Sequence, residues 1–175
     1  MKYKLTRLSI GALILCSVIL SSNVNAQILV NRDTMLAAAL EIMKETSYCG
    51  LVTVDSTGQP QVRTMNPFPA NEELITWVAT SRTSRKVKEI RENPKVCVYY
   101  ANHLSAKGYV NITGIAEIID KELLIKMKRD YWSGIPDWQN IFVLIRIKPQ
   151  SVEVINYKHS VNGDPNTFKA PTIDL

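Results

Sequence analysis

Histidine and cysteine are scarce in this chain, and their spacing argues against a metal centre. Only His103 and His159 occur in 175 residues, far apart and without ligand spacing, so a zinc site has no support. Nothing local supports haem ligation by either histidine. Of three cysteines, Cys16 lies in an N-terminal apolar run behind Leu15, where a lipoprotein signal needs a small residue. That argues against a lipid anchor. Twin arginines are missing too, since Lys4 and Arg7 stand apart. No repeat, low-complexity tract or interdomain linker is present, and no nucleophile–base–acid triad is visible.

What the N-terminus does contain is a three-part secretion signal. Lys2, Lys4 and Arg7 form a positive head, and Leu8 to Leu20 is apolar but shorter than the ~20 residues of a membrane span. Val24-Asn25-Ala26 then offers small residues at both positions read by a signal peptidase. Cleavage near Ala26 predicts a periplasmic or secreted protein with no stable membrane anchor. It also changes the charge argument. Three of the 21 basic residues and none of the 16 acidic ones leave with residues 1–26, so 18 face 16 and the net charge is +2. A nucleic-acid partner, which calls for a dense basic face, is not expected. About 149 residues remain, enough for one domain with a real core.

Cys49 and Cys97 survive the cleavage, each in or beside a hydrophobic strand-like run. They read as small buried residues. An oxidising compartment would permit a disulfide, but spacing does not establish one.

Periodicity predicts the elements. Asn31-Arg32-Asp33 supplies helix-capping residues, followed by Met35, Leu36, Ala39, Leu40 and Met43 at helical spacing. Residues 49–55 and 59–65 flank Ser56-Thr57-Gly58 as a β-hairpin. Residues 74–79 read as a third strand and 83–93 as a basic helix that ends before Pro94. Further strands are expected at 96–100 and 109–119, the latter bent at Gly114. Asp120 should cap a helix to about Arg129, followed by a loop. Two last strands, 141–147 and 152–155, are expected to be parted by Pro149, and 159–175 reads as a tail. The pattern predicts a mainly β, mostly antiparallel barrel with attached helices over residues 27–158.

Chemistry concentrates in Thr80-Ser81-Arg82-Thr83-Ser84-Arg85-Lys86. It follows a strand and opens a helix, where free N–H groups and the helix dipole favour an anion. Hydroxyls of Thr80, Ser81 and Ser84 add donors, Arg85 can grip phosphate oxygens in pairs, and Lys86 adds charge. Arg63 could join them from a neighbouring strand. A capped helix with a solvated basic face, continued by Lys88, Arg91 and Lys95, explains the same residues.

The run Gly50 to Asp55, Gly58-Gln59-Pro60-Gln61-Val62-Arg63, Trp77 to Ser81, Ser84-Arg85-Lys86 and Asn93-Pro94-Lys95-Val96 resembles the FMN-binding split barrels. These are the pyridoxamine 5'-phosphate oxidases and their general stress protein-like relatives. The resemblance spans about residues 33–156 in chain order. It implies a six-stranded Greek-key split barrel and a homodimer with FMN in a groove between subunits. Arg63, Ser84, Arg85 and Lys86 fall on positions used for the FMN phosphate. Thr80 and Ser81 lie beside them, and Thr64, Met65 and Asn66 fall where the backbone passes the flavin ring. Trp132, whose bland role is covering the barrel, could on this resemblance reach the partner's flavin groove.

Departures from the family pattern matter. Asn66-Pro67-Phe68 stands where a lysine is usual, Tyr109 where a glutamine is usual, and the C-terminal Arg-x-His motif is missing. Turnover of pyridoxamine phosphate is therefore not expected, and the stress-protein branch fits better. The expectation is an exported FMN-dependent oxidoreductase of unknown substrate. Its alternative is a non-catalytic flavin- or haem-binding barrel.

Overall fold

The computed structural model describes residues 31–119 and 121–175. The predicted secretion signal and its predicted cleavage site lie outside the described residues, as does Asp120. Helix α1 (Arg32–Glu45) starts at Asn31, whose side chain accepts a hydrogen bond from the Asp33 N–H at 2.6 Å. It buries Met35, Ala38, Ala39, Ile42 and Met43, an i, i+3, i+4, i+7, i+8 stripe. Hairpin β1 (Cys49–Val54) and β2 (Pro60–Met65) follows, then β3 (Thr76–Ser81), α2 (Arg85–Glu92), β4 (Lys95–Ala101) and β5 (Gly108–Ile119). Short helices α3 (Glu122–Lys126) and α4 (Trp138–Ile141) flank a 3-10 turn at Asp130–Gly134. The chain ends with β6 (Phe142–Asn156) and β7 (Thr172–Asp174).

All strand pairings are antiparallel, in the order β2-β1-β4-β5-β6-β3, with β7 added on β6. The two edges of this curled sheet meet locally. Pro67 bridges Val78, and the Phe68 N–H donates to the Trp77 carbonyl at 2.8 Å. Beyond that bridge β2 and β3 diverge, and α2 begins in the gap. This is a split β-barrel.

Apolar alternation places Leu51, Val98, Val110, Ile112, Ile145 and Ile147 inside, under α1. The opposite face of β6 is covered as well, by a second cluster of Leu124, Trp132 and Leu144. Cover on both faces explains why Phe142–Ile147 is almost continuously apolar rather than alternating.

The structure departs from the sequence-based expectation in four places. The helix expected to reach about Arg129 ends at Lys126, and the expected loop after it holds the 3-10 turn and α4. The last two predicted strands are one, because Pro149 sits at a bulge opposite Gly114 and does not break the ladder. At Gly114 an added Cβ would meet the Lys148 carbonyl oxygen at 2.2 Å, so only glycine fits. The third strand starts two residues late, because Leu74 closes a turn with φ +56°. The predicted tail is docked: Val161 and Ala170 are buried, β7 pairs with β6, and Arg32 donates to the Asp174 carbonyl at 2.6 Å.

Candidate functional site

The gap between β2 and β3 collects charge. Arg63 faces inward on β2, opposite Leu51, and its Nη2 lies 3.0 Å from Glu89 Oε2. Its Nη1 donates to the Thr53 hydroxyl. Arg85, in the first turn of α2, places Nε 2.9 Å from Glu89 Oε1 and donates from Nη2 to Gln61 Oε1 at 2.9 Å. Glu89 is one turn further on and only 3 % exposed. The Thr53 hydroxyl donates to its Oε2, whereas Oε1 has the Arg85 ion pair but no hydrogen bond. Burial pushes the Glu89 carboxyl up, but the Thr53 hydrogen bond and the Arg63 and Arg85 charges outweigh it and hold it below the usual carboxylate range.

Lys86 differs. Its ammonium donates to the Thr80 hydroxyl at 2.9 Å, and no carboxylate contacts it among the described residues. Burial, then the nearby Arg63 and Arg85 charges, push its pKa down, against the pull of Glu89. Three cations and one carboxylate leave a net charge of +2; Arg63 and Lys86 are partly buried, where such excess is costly, while Arg85 is 66 % exposed. Ser84 starts α2 without capping it by side chain; its hydroxyl instead accepts from Thr80 at 3.4 Å. The Val87 N–H donates to the Ser84 carbonyl at 3.0 Å, while the Arg85 and Lys86 N–H groups of the first turn keep their capacity to donate. Ser81 and Thr83 hydroxyls pair at 3.1 Å on the same lip.

The predicted residues thus divide. Arg63 and Arg85 meet through Glu89, and Lys86, Thr80 and Ser84 form a second hydrogen-bonded group beside them at the start of α2, with Ser81 on the rim. Met65 is buried, while Thr64 and Asn66 are exposed on β2 and just past its end. As an edge strand, β2 leaves alternate backbone N–H and C=O groups without a strand partner. Arg82 turns to the start of β6, donating from Nε to the Asn140 carbonyl at 3.2 Å. Trp132 is 1 % exposed and packs on Trp138 and Phe142 at 5.4 and 5.2 Å between centroids. Within its own chain it covers the sheet. His103 stacks on Tyr99, and His159 lies 2.9 Å from Glu41.

Sequence reasoning missed Thr53, Gln61 and Glu89. Two signals were available: Glu89 stands at i+4 from Arg85, and Thr53 is a polar residue at an inward position of β1.

Residues 35–159 match the pyridoxamine 5'-phosphate oxidase family. The chain belongs to that family. None of the curated proteins compared matches it. Among solved structures it is similar to the general stress protein 26 of Bacillus anthracis str. Sterne, with a TM-score of 0.62 and 23 % identity over 80 % of this chain and 98 % of that one. A general stress protein 26-related protein of Clostridium acetobutylicum gives 0.67 and 15 %, covering 83 % and 97 %. A pyridoxamine 5'-phosphate oxidase-related, FMN-binding protein of Nostoc punctiforme gives 0.57 and 14 %, covering 82 % and 95 %. These likenesses support the split-barrel fold. Just past β2, the Arg129 guanidinium lies 4.3 Å from the Phe68 ring centroid and donates to the Pro67 carbonyl at 2.6 Å.

Proposed function

We propose that the protein binds FMN and acts as a flavin-dependent oxidoreductase on a small substrate. The observation that carries this reading is Lys86, a half-buried cation with no carboxylate in contact among the described residues, beside two arginines that share one. The cluster's excess of +2 fits a phosphate monoester, which carries close to two negative charges near neutral pH. Arg63, Arg85, Lys86, Ser84, Thr80 and Ser81 would hold the phosphate. The free edge of β2 at Thr64, Met65 and Asn66 would run beside the ring. FMN supplies the electron transfer, and the protein supplies position and electrostatics. A cavity of about 350 Å³ beside Asn66, lined also by Met43, Thr46, Phe68 and Arg129, would admit a substrate.

The reading extends to a homodimer. The outward face of β1, β2 and β4 carries a shallow groove of about 290 Å³ lined by Val52, Val54, Pro60 and Cys97, and the same face carries Tyr99 and Val62, the latter 71 % exposed. An apolar face of this kind suits a second copy. It extends also to export, on the strength of the N-terminal signal.

Visible absorption of the isolated protein, and its melting temperature with added FMN, test cofactor binding. A flavin spectrum or a clear rise in melting temperature is expected; neither appearing would refute the proposal. Reduction of the bound flavin by a nicotinamide donor and turnover with an acceptor then test the enzyme. Binding without turnover across a broad acceptor screen would leave a flavin-binding protein instead.

A further inference from the structure

We infer that Glu89 is a positioning residue for the phosphate cluster: it aims Arg63 and Arg85 into the gap and sets the net charge there at +2. This rests on the proposed phosphate seat. Three observations converge. Glu89 is 3 % exposed, yet both its oxygens contact guanidinium groups on different elements, Arg63 on β2 at 3.0 Å and Arg85 on α2 at 2.9 Å. The Thr53 hydroxyl donates to Oε2, which fixes the carboxylate against β1. Oε1, although buried, accepts no hydrogen bond. A carboxylate held this way stops each long arginine side chain from sampling many rotamers, so less ordering is left for ligand binding.

Two roles make opposite predictions. If Glu89 only offset positive charge, neutralising it would strengthen the attraction for a phosphate. If it positions the arginines, neutralising it weakens binding despite the added positive charge. The second is our inference.

The test titrates the apo protein and its Glu89→Gln variant with FMN and with riboflavin, which lacks the phosphate. We expect FMN affinity to fall about tenfold, the size of one charge-assisted hydrogen bond, while riboflavin affinity stays within about twofold. Unchanged or tighter FMN binding would overturn the inference, as would an equal loss for riboflavin, which marks general damage to the fold. If Glu89→Gln does not fold, Glu89→Asp carries the test, since it keeps the charge and withdraws the carboxylate by one methylene. If wild-type protein binds neither flavin, the flavin reading fails separately. Inorganic phosphate then becomes the probe: weaker phosphate binding by the variant supports positioning, and equal or tighter binding overturns it.

Discussion

At the scale of single residues, the cluster divides its cations by what each is held by. Arg63 is tied to a buried carboxylate, so Arg63→Ala should do two things at once. It should weaken FMN binding, and it should destabilise the apo protein by about 3 kcal/mol, because Glu89 loses a charge partner in a buried site. Calorimetry on the apo form checks the second effect. Lys86 contributes nothing comparable to folding, since its charge is desolvated and faces two arginines. Lys86→Met should leave the melting temperature of the apo protein equal or higher while lowering FMN affinity about tenfold or more. A clear fall in apo stability would contradict this account of Lys86. The pH dependence of Glu89 has a definite sign. Its folded pKa is lowered, so its contribution is present above the unfolded carboxylate value and is lost as pH falls through the folded one. Melting curves of wild type and Glu89→Gln should therefore be furthest apart near neutral pH and converge in acid.

At the scale of elements, legibility followed the kind of interaction that shapes each one. Helix α1 and the β1–β2 hairpin were readable because periodicity and turn chemistry are local. Strand β6 was misread as two, since Pro149 looks like a breaker until the bulge opposite Gly114 is known. The 160–175 segment has no period at all; its docking depends on edge pairing to β6 and on pockets for Val161 and Ala170. Of the candidate site, Arg85 and Lys86 are legible because they cluster in sequence with Thr80, Ser81 and Ser84, and Arg63 through the family resemblance, while Glu89 is hidden by its place in an outwardly basic helix. The bulge makes its own prediction. Gly114→Val should destabilise the protein by about 3 kcal/mol or more, because a Cβ cannot fit against the Lys148 carbonyl. Alternation along β1 and β4 makes another. Cys49 lies on the inward face with Leu51, and Cys97 on the outward face with Tyr99. Both thiols are free, and burial raises Cys49 to about 11. Mass spectrometry after unfolding in alkylating reagent without reductant should find both alkylated. A mass short of two hydrogens would indicate a disulfide.

At the scale of the whole molecule, one barrel presents two unlike surfaces: a cationic gap between β2 and β3, and an apolar outer face on β1, β2 and β4. If that outer face joins two copies, Val62→Lys should convert a dimer into a monomer in light scattering while the circular dichroism spectrum is preserved. A dimer that persists would move the interface elsewhere. If the N-terminal signal is cleaved as read, mature protein begins at Gln27, which intact mass establishes directly.

If the N-terminal signal directs Sec-type export, the chain crosses before it folds, and a cofactor bound only by the folded state cannot travel with it. On that route, the cross-bracing of Arg63, Arg85, Thr53 and Glu89 would let the seat form before any flavin arrives. These groups hold one another in place, so the seat is complete when the barrel closes and needs no guest as a template. If the chain is exported and binds FMN as proposed, flavin uptake would be a simple encounter between a finished protein and whatever FMN its compartment contains. Its speed would follow flavin supply, and occupancy would report on the surroundings rather than on the history of the chain.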